Sequence, residues 1–439
     1  MQKAAKRCIV DLVGVSIAGA ERAQSRWIAN YASQAYAYGP SMVFGSSARL
    51  SPVGAALVNG TVGHVLDFDD TSYTGIMHGS TVVFPAALAA AESAGANGRR
   101  LLEAFIAGSE VTYAVAVLCG HGHYYKGWWS TATFGTIGAA AAAARALELS
   151  ERQTACALSL AGLQAGAQKA SFGTDAKPYL AGQAAAAGVE SALLASAGLS
   201  APRSALEGRN GFIQVLNDGV ADDGGIETIG AQWRLVDPGI FFKQYPVCSA
   251  AHAAVEVTRQ LMDKHGLAGE RIRQVVCEVP PLVATSLVYD KPGNVQEAQF
   301  SMPFAVGTML ARGQLGVEDL TVKALSDPRV QSAMSKVDMR RVDSLEDAAA
   351  PEGARVTLVT DDGGKVAENL GVPTGMPLNP MSDGQLQEKF LRCAAAGGLE
   401  RSRATDLLKY LKNIELVVDP IHSLIQRLTH LGATSGRIR

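Results

Sequence analysis

Apolar positions recur at helical spacing through the first half of the chain. Near the start, Ile9, Leu12, Val13 and Ile17 lie three to four residues apart, which is one face of a helix. Residues 139–146 and 184–197 are dense in alanine, and glycines punctuate the segment boundaries. Small residues let helix backbones approach closely, so residues 1–236 read as a compact all-helical domain with buried central helices. The pattern changes near Pro238. Residues 271–279 (RIRQVVCEV) and 354–360 (ARVTLVT) alternate and are β-branched, which predicts two strands. Asp361-Asp362-Gly363-Gly364 predicts a hairpin turn after the second. Residues 251–265 and 300–312 read as amphipathic helices. Beyond Pro380, Ser382 is placed to cap another helix.

The predicted fold is therefore mostly α. A large all-helical domain spans 1–236 plus 376–439, with a smaller α+β lid domain, 237–375, inserted into it. A length of 439 residues with 48% hydrophobic content agrees with two cores. The crevice between the domains is the expected binding site. No fixed-period repeat is evident.

Charge and cysteine usage narrow the function. A net charge of -2 provides no basic field for nucleic acid, so an anionic substrate must be held by local Lys or Arg. Cys8, Cys119, Cys156, Cys248, Cys277 and Cys393 are dispersed with no CxxC pair, which points to a reducing, cytoplasmic setting. Lys3, Lys6 and Arg7 before an apolar run ending in Ala18-Gly19-Ala20 imitate a signal peptide. Asp11 interrupts that run, and its helical spacing favours a buried helix. No uninterrupted apolar stretch reaches the ~18–20 residues of a membrane span.

The densest chemistry is Gly63-His64-Val65-Leu66-Asp67-Phe68-Asp69-Asp70-Thr71, followed by His78-Gly79-Ser80. Clustered carboxylates repel unless partners or a ligand stabilise them. Asp67 reads as catalytic and, on a helix, would share a face with Thr71. Asp69 and Asp70 read as helix-end caps. His78 can exchange a proton near neutral pH. Magnesium-binding Asp motifs need carboxylates at i, i+1 and i+4, whereas these fall at i, i+2 and i+3, so no metal is expected. Lys177 precedes Pro178 in a predicted extended segment at the mouth of an alanine-rich helix, where it could bind a carboxylate. Lys243 opens the second domain. Cys248 and His252 could share a helix face, either as a nucleophile pair or as a buried thiol and a structural imidazole. His121 and His123 lack an obvious third metal ligand and read as loop residues.

With those residues in view, the chain resembles the MmgE/PrpD family, which includes 2-methylcitrate dehydratases, cis-aconitate decarboxylases and iminodisuccinate epimerases. The similar motifs run nearly end to end. They include residues 10–19 (VDLVGVSIAG), 63–71 and 134–143 (FGTIGAAAAA), Lys177-Pro178 with Gly182 and Ala184, residues 243–246 (KQYP), Ala298-Gln299-Phe300-Ser301, and Lys389-Phe390. The resemblance implies a helical domain with a lid, a homodimer, a site at the domain interface, and no metal or organic cofactor. It places Asp67, Thr71, His78, Lys177 and Lys243 at active-site positions.

The chain also departs from the family pattern. Cys248 and Trp129 stand where the decarboxylase-like pattern has His, and Phe304 stands where a Tyr is common. These three residues are expected to line a less polar substrate pocket. The implied chemistry is proton abstraction beside a carboxylate of a small di- or tricarboxylate, with Asp67 and His78 exchanging protons and both lysines binding the anion. A dehydratase-like hydro-lyase is the leading expectation. A decarboxylase, an epimerase, and a catalytically lapsed anion-binding homologue are the alternatives.

Overall fold

The computed structural model describes residues 1–347 and 351–418. Helices of at least ten residues are numbered in chain order. They are α1 (Gln2–Ala20), α2 (Ala23–Ala35), α3 (Pro52–His64), α4 (Ser80–Ser93), α5 (Gly98–Cys119), α6 (Ser130–Ala146), α7 (Glu151–Gln164) and α8 (Ala176–Ser196), then α9 (His252–His265), α10 (Met302–Arg312), α11 (Asp383–Ala396) and α12 (Arg401–Lys412). The strands of the larger sheet are β1 (Ile272–Val279), β2 (Val337–Arg341), β3 (Ala354–Thr360) and β4 (Lys365–Leu370), and Ser41–Met42 pairs with Arg49–Leu50 as a short ribbon in the otherwise helical first part.

Small residues set the packing of the first domain. A Cβ on Gly60 of α3 would lie 2.8 Å from Cα of Gly182 in α8, and one on Gly182 would lie 2.1 Å from the Leu57 carbonyl oxygen. The two helices thus cross in backbone contact, which no larger residue would permit. The α5–α6 crossing is similar, because a Cβ on Gly138 would collide with Thr112 and Gly108. Helix α5 is long and apolar enough to meet a membrane-span criterion, but most of it is buried in this core. The C-terminal helices pack on the first core: Leu386, Phe390 and Leu407 join Leu12 and Val13 of α1 there. Ser382 caps α11 as expected, accepting from the Gln385 backbone N–H.

The second core gathers α9, α10 and the four-stranded sheet, ordered β2–β1–β3–β4. β1 runs parallel to β2 and antiparallel to β3, and β3 forms a hairpin with β4 in which Val359 pairs with Lys365. Gly363 takes φ +86° in the connecting turn, a conformation that favours glycine. The sheet is larger than the two strands predicted. The additional strands, β2 (VDMRR) and β4 (KVAENL), are the sheet edges and carry charged, partly exposed side chains. Charged edges resist pairing with other chains, and the same feature removes the apolar alternation by which a strand is recognised.

Candidate active site

The site begins where α3 ends. Gly60 lies one turn before His64, and Gly182 lies little more than one turn after Lys177. The close α3–α8 crossing therefore brings an imidazole at one helix terminus against an ammonium at another. Lys177 is not in an extended loop, as its place before proline suggested. It occupies the first turn of α8, with Pro178 following. Proline is tolerated there because first-turn N–H groups have no intrahelical acceptor.

After His64 the chain leaves helical geometry, so Asp67 and Thr71 do not share a helix face. Val65, Leu66 and Phe68 enter the second core, and the carboxylates between and after them turn inward. Asp67 adopts φ +47°, a left-handed conformation that Asp accepts more readily than bulky residues. Two buried lysines hold this loop through its carbonyls. Lys243 Nζ donates to the Asp67 carbonyl at 2.6 Å. Lys389 Nζ donates to the Phe68 carbonyl at 2.8 Å and is ion-paired with Asp11 at 2.6 Å.

Four of the predicted residues converge. Asp67 Oδ1 accepts from Lys177 Nζ at 2.6 Å, and Asp67 Oδ2 accepts from Lys243 Nζ at 3.0 Å. His78 Nε2 lies 3.7 Å from Asp67 Oδ1. Two further members, His64 and Asp69, were not assigned to the site from sequence. His64 Nδ1 donates to Asp69 at 2.9 Å, and its Nε2 accepts from Lys177 Nζ at 2.6 Å. His78 Nδ1 lies 3.0 Å from the Asp70 carbonyl and 3.2 Å from Asp69 Oδ2. Asp69 is thus the shared partner of both imidazoles, not a helix cap. The two rings meet edge to face at 4.5 Å. Both hydrogen-bonding patterns fit the Nδ1–H tautomer, which commits His64 Nε2 to Lys177 and leaves His78 Nε2 as the free basic nitrogen.

The local charges explain which group can move a proton. Burial pushes the Asp67 carboxyl up, but Lys177 and Lys243 outweigh it, and Asp67 is held far below the usual carboxylate range. Burial acts likewise on Asp69, and His64 and His78 outweigh it there. Burial lowers His64 to about 4 despite Asp69. His78 is also lowered, chiefly by burial and against the pull of Asp69. Near pH 7 the site therefore holds two neutral imidazoles, two carboxylates and the two lysines that face them. Asp67, expected to exchange protons, is clamped here as the counterion of Lys177 and Lys243, which weakens it as a base. The His78 side chain is 12% exposed and that of His64 is fully buried, so His78 is the more accessible imidazole.

His64, Asp67, Asp69 and His78 also offer atoms within 4.8 Å of one another, a grouping that could hold a metal and that sequence spacing did not reveal. The Lys177 ammonium contacts two of those residues, through His64 Nε2 and Asp67 Oδ1. A positive charge therefore already stands against two of the four residues, and a metal would have to compete with it.

The other expected residues take different places. Thr71 donates to the Met77 carbonyl at 3.0 Å and shapes the loop. Trp129 is buried 5.4 Å from the His64 ring. The Lys177 ammonium lies 5.2 Å from Trp129, 5.3 Å from Phe172 and 5.2 Å from Phe300 ring centres, an aromatic cage that fixes its position. Phe304 belongs to the buried second core, and it is Phe300 that reaches the cleft. The Cys248 thiol is pushed up to about 12 by burial and by Asp67. His252 Nε2 faces the Val247 carbonyl at 3.4 Å and its Nδ1 has no hydrogen-bond partner among the described residues, so no Cys–His nucleophile pair forms. His123 is buried against Thr133 and Phe134, while His121 bonds the Tyr73 carbonyl. The cleft bordered by His64, Asp67, Lys177, Thr174, Gln299 and Phe300 has room for about one water molecule.

The chain is similar in sequence to known proteins. Residues 1–222 match the MmgE/PrpD N-terminal domain and residues 245–414 match the MmgE/PrpD C-terminal domain. The chain belongs to the MmgE/PrpD family. Its relatives include cis-aconitate decarboxylase of Homo sapiens, 29% identical over 427 residues, covering 94% of this chain and 87% of that one. The Mus musculus enzyme of the same name is 27% identical over 427 residues, with 94% and 86% covered. That of Aspergillus terreus is 23% identical over 448 residues, with 94% and 89% covered. In this MmgE/PrpD chain the six-residue polar cluster lies between the two cores, with Asp67 and His78 in one matched domain and Lys177 near the end of the same one. Lys243 sits in the short stretch between the matched domains.

Proposed function

We propose that the protein is a lyase that removes a proton beside a carboxylate of a small di- or tricarboxylate and expels water. The observation that carries this reading is the free Nε2 of a neutral His78 beside two lysines clamped on Asp67. Each ammonium has three N–H donors. Lys177 spends two on His64 and Asp67, and Lys243 spends two on the Asp67 carbonyl and carboxylate. One donor on each remains for a substrate carboxylate. Deprotonating the adjacent carbon moves a second negative charge onto that carboxylate, and prepositioned cations in a dry cleft stabilise it. His78 takes the proton, and its imidazolium faces Asp69 and Asp67. The proton then passes to the departing hydroxyl, giving an alkene and water. The cleft has too little room for such a substrate, so binding requires the two domains to part and close again.

A second reading is decarboxylation of an unsaturated tricarboxylate, and the names of the relatives favour it. That reaction needs a proton donor for the carbanion left by carbon dioxide. A resting neutral His78 suits the removal of a proton better than its donation. The test is a screen of hydroxy- and unsaturated di- and tricarboxylates in deuterium oxide, followed by proton NMR. Loss of the hydroxyl-bearing centre with a new vinyl signal supports dehydration. Loss of a carboxylate carbon selects decarboxylation, and deuterium incorporation alone selects epimerisation. Saturable, pH-dependent anion binding with no exchange or turnover would identify a lapsed binding protein and overturn the proposal.

A further inference from the structure

One buried carboxyl outside the polar cluster joins three separate segments. Glu352, just before β3, is 3% exposed. Its Oε2 accepts from the Tyr73 hydroxyl and its Oε1 accepts from Ser249 Oγ at 3.0 Å. Tyr73 starts the loop that ends at His78. That loop is closed on itself by Ser72 N–H to the Met77 carbonyl at 2.8 Å and Met77 N–H to the Ser72 carbonyl at 3.0 Å. The Tyr73 ring stacks on Phe241 at 6.2 Å, and its carbonyl accepts from His121 Nε2 at 2.7 Å. Ser249 stands six residues after Lys243 and opens the turn leading into α9. One carboxyl of the α+β domain thus reaches both the segment that carries His78 and the segment that follows Lys243.

We propose that Glu352 is a positioning residue which, through Tyr73 and Ser249, locks the His78 loop and the Lys243 segment together when the domains are closed. A buried carboxyl is costly unless both oxygens are satisfied, and here each is satisfied by a hydroxyl from a different segment. Its interactions are complete only when both segments are in place. The tight 72–77 loop carries any displacement of Tyr73 directly to His78. The inference rests on the reading of His78 as the proton-transfer group, but the bridge itself can be tested without substrate.

The experiment is amide hydrogen exchange on the full chain, comparing wild type with Tyr73→Phe, Glu352→Gln and the double variant. Loss of the bridge should speed exchange of residues 72–78 by about tenfold or more and leave the cores of α5 and α6 unchanged. The double variant should exceed the larger single effect by less than about twofold, because both changes break one bridge. With any substrate found in the deuterium screen, kcat should fall about tenfold and KM change less than about threefold, since the defect lies in geometry after binding. Exchange in 72–78 within about twofold of wild type in Tyr73→Phe overturns the proposal, as does a uniform increase across both domains. If Glu352→Gln does not fold, Tyr73→Phe alone decides. If no substrate turns over, the functional reading fails and the exchange result still judges the bridge.

Discussion

Lys177 Nζ and His64 Nε2 lie 2.6 Å apart, although 113 residues separate them in the chain. The contact removes His64 from the list of available bases, because its only lone-pair nitrogen is already an acceptor. On the proposed function this leaves His78, whose Nε2 has no such donor at hydrogen-bonding distance among the described residues.

His78→Gln should therefore cut turnover by ~10²-fold or more, the usual scale for a general base. His64→Gln should act through the placement of Lys177 and cost less. Steady-state kinetics on both variants decide the matter, and the reverse ranking would transfer the base to His64.

Asp67→Asn nearly preserves shape, yet it leaves two buried ammoniums facing a neutral amide. Removing one member of a buried ion cluster typically costs about 3–5 kcal/mol. Urea unfolding should show a loss of that order. Adding Lys177→Met to Asp67→Asn should recover part of it, since one orphaned charge disappears. A double variant less stable than Asp67→Asn would mean that Lys177 is held mainly by its aromatic cage.

Activity should survive exhaustive dialysis against a strong chelator. Two of the four grouped residues, His64 and Asp67, are already engaged by the Lys177 ammonium, and a metal would have to displace that buried cation. Loss of turnover followed by recovery on adding one divalent ion would show that Lys177 yields its place.

The sequence was legible where one physical demand set the pattern. The strand 354–360, the capped helix after Ser382 and the alanine-rich packing helices each answer to a single period or cap. The loop after His64 answers to two demands at once. Val65, Leu66 and Phe68 fill the second core, while Asp67 and Asp69 serve the site, so no single period describes it. Asp69 resembled a cap because its real partners, His64 and His78, are joined to it by tertiary folding. His64 was obscured by its position at the end of an apolar helix. Lys177 looked like a loop residue because proline-based reasoning favours extended backbone, an inference that fails in the first turn of a helix.

The last prediction concerns Asp70, whose Oδ2 accepts from Ser80 Oγ and which lies beside the buried Cys8 thiol. Burial, helped by Asp11, raises this carboxyl from 3.8 to about 7. The folded protein therefore keeps a proton that the unfolded chain releases. This contribution to stability is fully present below pH 3.8 and is lost as pH rises through 7. His64 works in the opposite sense. Its folded value of about 4 lies below its ordinary 6.5, so its contribution is present above 6.5 and is lost as pH falls toward 4. In wild type the two slopes oppose each other between pH 4 and 6.5. Asp70→Asn imitates the protonated carboxyl and removes only the first slope. Its stability relative to wild type should climb by about 1.4 kcal/mol per pH unit from 4 to 7, the linkage slope for one proton, and then level off. Urea unfolding of both proteins at several pH values from 4.5 to 8 measures that difference. A pH-independent difference would mean that Asp70 is ionised in the folded state, with a partner for its charge.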